Sequence, residues 1–175
     1  MRLTLRRLLL AGRRLLAAAP QPTRAAQPAR RRAARPRDFQ RARLYRWEAE
    51  HVLPRLAAPL SLEACRRLIE AAYRWREAPG ADPGWAPPEL TDGRGRRHAC
   101  GSRAVIKLPR WARTRAIVLH ECAHGMADDQ HGPRFVAVYV ALLERFGGLD
   151  PVDLRTSLAA AGVQVADRTP KHRPR

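Results

Sequence analysis

Apolar positions along this chain recur mostly at three- and four-residue intervals, with one stretch where the period shortens. From Phe39 onward, Leu44, Trp47, His51 and Val52 are interleaved with Arg and Glu in a helical rhythm that Pro54 closes. Ser61 is placed to cap a second helix. Within it Leu62, Cys65, Leu68, Ile69, Ala72 and Tyr73 form one apolar stripe, while Glu63, Arg66, Arg67, Glu70 and Arg74 face water. Pro79 to Pro88 then places four prolines and two glycines in ten residues, which forces an irregular connection.

The shorter period predicts strands at Glu89–Thr91, Arg97–Cys100 and Arg103–Leu108, separated by Asp92-Gly93-Arg94-Gly95 and Gly101-Ser102 turns. Helical periodicity returns between Pro109 and His124, with Gly125 as a C-cap. Pro133 suits the first position of another helix carrying Phe135, Val138, Tyr139, Leu142, Leu143 and Phe146, ended by Gly147-Gly148. Asp150-Pro151 opens a last helix running to Gly162, and Val163-Gln164-Val165 adds a short extended piece. The fold class expected is α+β: a small antiparallel meander packed on a helical core.

Charge divides the chain. The net charge is +18 over 175 residues, but residues 1–37 hold eleven arginines and no acid, and residues 168–175 add four positive charges. The remaining +3 leaves the body at residues 38–167 nearly balanced. The reading is therefore a disordered basic tail (1–37), one domain (38–167) and a basic C-terminal tail (168–175). Such tails can engage nucleic acid or anionic lipid by charge alone. No aromatic residue precedes Phe39, so stacking platforms for single strands are missing there.

Residues 1–19 begin positively, but Arg13 and Arg14 split the apolar run a signal peptide would need. An amphipathic presequence, a faint twin-arginine signal at Arg6-Arg7 and a start assigned too far upstream all fit this stretch. No apolar run approaches the roughly 20 residues of a membrane span. Three cysteines, Cys65, Cys100 and Cys122, have no metal-type spacing and argue against a disulfide framework, which points to a reducing, cytoplasmic setting.

The chemistry concentrates in Arg115-Ala116-Ile117-Val118-Leu119-His120-Glu121-Cys122-Ala123-His124. On a helix His120 and His124 lie one turn apart on one face, so both imidazoles can reach one ion, with Glu121 beside them. Zinc accepts neutral imidazole and lowers the pKa of its water from about 15.7 to roughly 7. Glu121 is then placed as general base. Cys122 lies two positions from each histidine and reads as packing.

A third ligand is needed. His131, seven residues after His124, follows a short loop and precedes Pro133; it is the expected ligand, with Asp128 or Asp129 as the alternative. The metzincin spacing is excluded, since it would place glycine at 127 and histidine at 130, where this chain has Ala127 and Gln130. His51 at a helix end reads as a surface or packing residue. His98, Arg134 and Tyr139 are weak candidates for stabilising a developing oxyanion, with Tyr139 on the apolar stripe and Arg134 expected as a surface charge.

With His120-Glu121-x-x-His124, His131-Gly132-x-x-Phe135 and the preceding strand Val105-Ile106-Lys107-Leu108-Pro109, the sequence resembles the SprT-like minimal zinc metallopeptidases, a gluzincin-like group. It is similar in particular to short bacterial metallohydrolases that begin with Gln-Arg-x-x-x-Tyr, here Gln40-Arg41-Ala42-Arg43-Leu44-Tyr45. The resemblance spans roughly residues 38–165. It implies Zn²⁺ on His120, His124 and His131 and Glu121 as base, but not the substrate; a protein or peptide is the substrate expected for such a hydrolase. The function expected is a zinc-dependent hydrolase; the alternative is a zinc-stabilised, non-catalytic module whose basic tails bind nucleic acid.

Overall fold

A buried strip of Leu44, Trp47, Cys65, Ile69, Tyr73, Ile106 and Leu119 links the helical and extended parts of the chain in one core. The computed structural model describes residues 38–76 and 86–167. The basic tails and part of the proline-rich connection lie outside the described residues, and so do the expectations placed on them.

Helix α1 spans Arg41–His51 and α2 spans Leu62–Arg76. Ser61 caps α2 as its sequence predicts, its hydroxyl accepting the Ala64 N–H at 3.0 Å. The α2 stripe of Cys65, Leu68, Ile69, Ala72 and Tyr73 is buried throughout. Phe39 departs from the expected α1 stripe: it is 53 % exposed, and the inner face is instead Leu44, Trp47 and Glu48.

The strands are β1 (Glu89–Thr91), β2 (Cys100–Gly101) and β3 (Val105–Lys107). The expected antiparallel meander is incorrect. β3 lies in the middle, with β1 parallel to it and β2 antiparallel, so the sheet is mixed. β2 is also shorter than the expected Arg97–Cys100 strand, which is mostly a bend. β1 and β3 can pair in parallel because thirteen intervening residues (92–104), β2 among them, give the chain room to cross back.

A 3₁₀ turn at Arg110–Ala112 leads into α3 (Arg115–Met126), whose cap is Thr114. Gly125 lies inside this helix and does not end it; Ala127 is the C-cap. A side chain at 125 would overlap the Tyr73 hydroxyl, so glycine is required for close packing of α2 on α3. Helix α4 spans Pro133–Leu142 and widens into a π turn at Leu143–Gly147, which Gly148 ends at φ 67°. Helix α5 spans Pro151–Ala160, with the Asp150 carboxylate accepting from the N–H groups of Val152 and Asp153.

Helix α3 is the centre of the arrangement, touching α2, α4 and β2, while α1 packs on α5. The Trp47 indole N–H donates to Ser157 Oγ at 2.9 Å across that second contact. No described helix is long and apolar enough to cross a membrane.

Candidate metal centre

His120 and His124 project from α3 one turn apart, and His131 comes from the loop that precedes α4. One ligand atom from each lies within 4.8 Å of the others, so the three histidines are close enough to hold one metal ion. Their ring centroids are 4.9 Å (120–124), 4.7 Å (124–131) and 5.4 Å (120–131) apart. Phe135 of α4, fully buried, packs against all three rings at 4.5–5.1 Å. It restrains the imidazoles and offers no competing ligand.

Carboxylates orient two of the rings. His120 Nδ1 is 3.2 Å from Glu48 Oε1, and His131 Nδ1 is 2.7 Å from Asp38 Oδ2. A carboxylate at Nδ1 holds the ring proton there and leaves Nε2 as the lone-pair nitrogen. His131 Nε2 is indeed buried and has no hydrogen-bond partner. Leaving such an atom unsatisfied costs about 1–3 kcal/mol, and coordination would remove that cost. Three imidazoles suit zinc and its first-row neighbours.

The competing ligands are engaged elsewhere. Asp129 accepts the N–H groups of Arg134 at 2.8 Å and Phe135 at 2.9 Å, capping α4, and Asp128 pairs with Arg134 at 2.9 Å on the surface. Gly132 is needed there because a side chain would overlap the Asp129 carboxylate. The loop is also tied from α1. The Gln40 amide donates to the His131 carbonyl at 2.8 Å and to the Gln164 carbonyl at 3.1 Å, and accepts the Gln164 N–H at 2.9 Å. Gln40 is fully buried. Val163–Val165 is thus held by a side chain and not by a strand.

The electrostatics separate the histidines. Burial, with His120 and His131 nearby, pushes His124 down to about 3. Burial also lowers His131, against the opposing effect of the hydrogen bond that its ring donates to Asp38. Burial acts the same way on His120, but the Glu48 carboxylate outweighs it and raises that ring above the usual histidine range. Glu48 resists ionisation through burial, yet His120 and the hydroxyl of Tyr139 hold it below the usual carboxylate range.

Glu121 is buried beside His120. Burial raises its pKa and the Glu48 charge adds to this, while His120 and the backbone N–H of Gly101 favour its ionised form. Strand β2 packs directly on this turn of α3: a side chain at Gly101 would overlap the Glu121 carbonyl. A carboxyl raised by burial suits a group that takes up and returns a proton.

Of the other candidates Tyr139 touches the site, its ring 5.4 Å from that of His120, and the rest have other surroundings. His98 is exposed in a bend, Arg134 pairs with Asp128, and His51 sits 6.1 Å from the Trp47 ring. Tyr139 is buried behind His120 as a donor to Glu48, consistent with its place on the apolar stripe. Cys122 is buried, and its burial pushes its thiol pKa up. Sequence reasoning missed Asp38, Gln40, Tyr45 and Glu48 as parts of the site. The legible signal was Glu48, a carboxylate four residues after Leu44 and four before Val52 on the inner face of α1.

Comparison with protein families, curated proteins and solved structures finds no match to this chain.

Proposed function

We propose that this protein is a zinc-dependent hydrolase, and within that class a metallopeptidase of the SprT-like type. The observation that carries the proposal is the convergence of His120, His124 and His131 within 4.8 Å, with Glu121 next to the first of them. His120, His124 and His131 would hold the ion. A bound zinc supplies Lewis acidity and makes water acidic enough to be activated near neutral pH. Glu121 takes the proton from the attacking water and delivers it to the leaving amine. Glu48 and Asp38 keep two of the imidazoles in one tautomer, and Phe135 keeps solvent from the rings' inner side. β2 ends the sheet, and its Gly101 touches Glu121, so an extended peptide added along that edge runs past the base.

Elemental analysis of the full-length chain tests the metal. Wild type is expected to carry about one zinc per chain, and His131→Ala much less. Glu121→Gln should keep the metal and lose peptide hydrolysis; a metal-loaded Gln variant that still turns over rules out Glu121 as base.

A further inference from the structure

Helix α1 presents a second pair of polar groups to the same three rings. Arg41 and Tyr45 lie one turn apart, with Arg41 Cζ 5.2 Å from the Tyr45 ring centroid. The Tyr45 ring is 5.0 Å from that of His131 and 5.8 Å from that of His120. His120 and His131 are each 6 % exposed, whereas Tyr45 is 39 % exposed and Arg41 is also exposed. A phenol and a guanidinium therefore stand where the buried imidazoles meet solvent.

Their partners do not account for that placement. Among the described residues Arg41 forms no ion pair with a carboxylate. A guanidinium is permanently charged and matches carboxylate geometry, and a protonated phenol adds one more donor.

We propose that Arg41 and Tyr45 receive an anionic oxygen group of the substrate at the mouth of the three-histidine site. This rests on the metallohydrolase reading and extends it to substrate choice. The anion is a carboxylate carried by the substrate or the oxygen that gains negative charge as the carbonyl is attacked; both need a cation and a donor on the solvent side of the imidazoles.

The test uses the full-length chain loaded with cobalt(II), whose visible absorption changes with its ligands, titrated with acetate. Arg41→Ala should weaken acetate binding roughly tenfold and Tyr45→Phe several-fold, as expected for charge-assisted hydrogen bonds. Arg41→Lys should recover part of the loss, and Arg46→Ala, an equal loss of charge elsewhere on α1, should change little. Cobalt stoichiometry and helical circular dichroism are expected to stay at wild-type values. Acetate binding as tight in Arg41→Ala and Tyr45→Phe as in wild type overturns this proposal and leaves the hydrolase reading standing. A wild type that takes up no metal overturns both. Acetylated dipeptides with free or amidated C-termini, competing against acetate, separate the sources. Preference for the free acid places the anion in the substrate, and equal competition assigns it to the reacting oxygen.

Discussion

Glu48 Oε1 stands 3.2 Å from His120 Nδ1 and also accepts the hydroxyl proton of Tyr139, so one buried carboxylate on α1 orients a histidine 72 residues away. Glu48→Gln keeps the volume and removes the charge. Loss of such a partner is expected to lower metal affinity about 10–100-fold, read by competition with a chelator. Tyr139→Phe removes only the hydroxyl, and a smaller loss of about 1 kcal/mol in folding stability is expected from denaturant titration.

The same pair sets the pH dependence of metal uptake. Binding needs all three imidazoles neutral. His124 and His131 are lowered and lose their protons early, whereas Glu48 raises His120, whose proton is the last competitor. Metal affinity should therefore climb with pH until the raised His120 value is passed, and fall on acidification through that value. In Glu48→Gln the profile should move to lower pH. An unmoved profile would show that another group controls uptake.

The metal-free protein should respond to acid through His124. Its folded value of about 3 lies below its ordinary 6.5, so between these the unfolded chain binds a proton that the folded one refuses. This contribution to stability is present above 6.5 and is lost as pH falls toward 3. Urea titrations across that window should show a steeper acid loss for wild type than for His124→Asn.

Gly101 joins β2 to the turn of α3 that carries the base. Alanine there would overlap the Glu121 carbonyl, and the expected cost is about 1–3 kcal/mol, typical of overpacking. The strand or the helix must shift. Thermal denaturation reads the loss, and metal content reports whether the movement reaches His120.

Gln40 offers a separate test of the loop that delivers His131. Gln40→Leu keeps the bulk but leaves the His131 carbonyl and both backbone groups of Gln164 without their partner. Destabilisation of about 1–3 kcal/mol is expected, the cost of leaving the buried His131 carbonyl unsatisfied, since Gln164 is exposed and water can replace the amide there. Metal affinity should fall with it.

The local features of this protein were legible in the chain itself. Ser61, Pro133 and Asp150 mark helix starts because caps and N-terminal prolines act within one turn. The spacing of His120 and His124 is likewise a one-turn relation, and only six residues separate His124 from His131. The dimensions of a helix are enough to bring such groups together. Gly125 was misread for the same reason: a glycine near a helix end looks like a stop, and only the Tyr73 hydroxyl beside it shows why the helix continues. The order of the sheet, the carboxylates Glu48 and Asp38, the anchoring amide of Gln40 and the Arg41–Tyr45 pair were decided by tertiary structure alone. The sheet order depends on β1 pairing past β2 with β3, and the rest on the α1 region folding back onto elements 70 or more residues later; no periodicity within a segment records which distant surface it will meet.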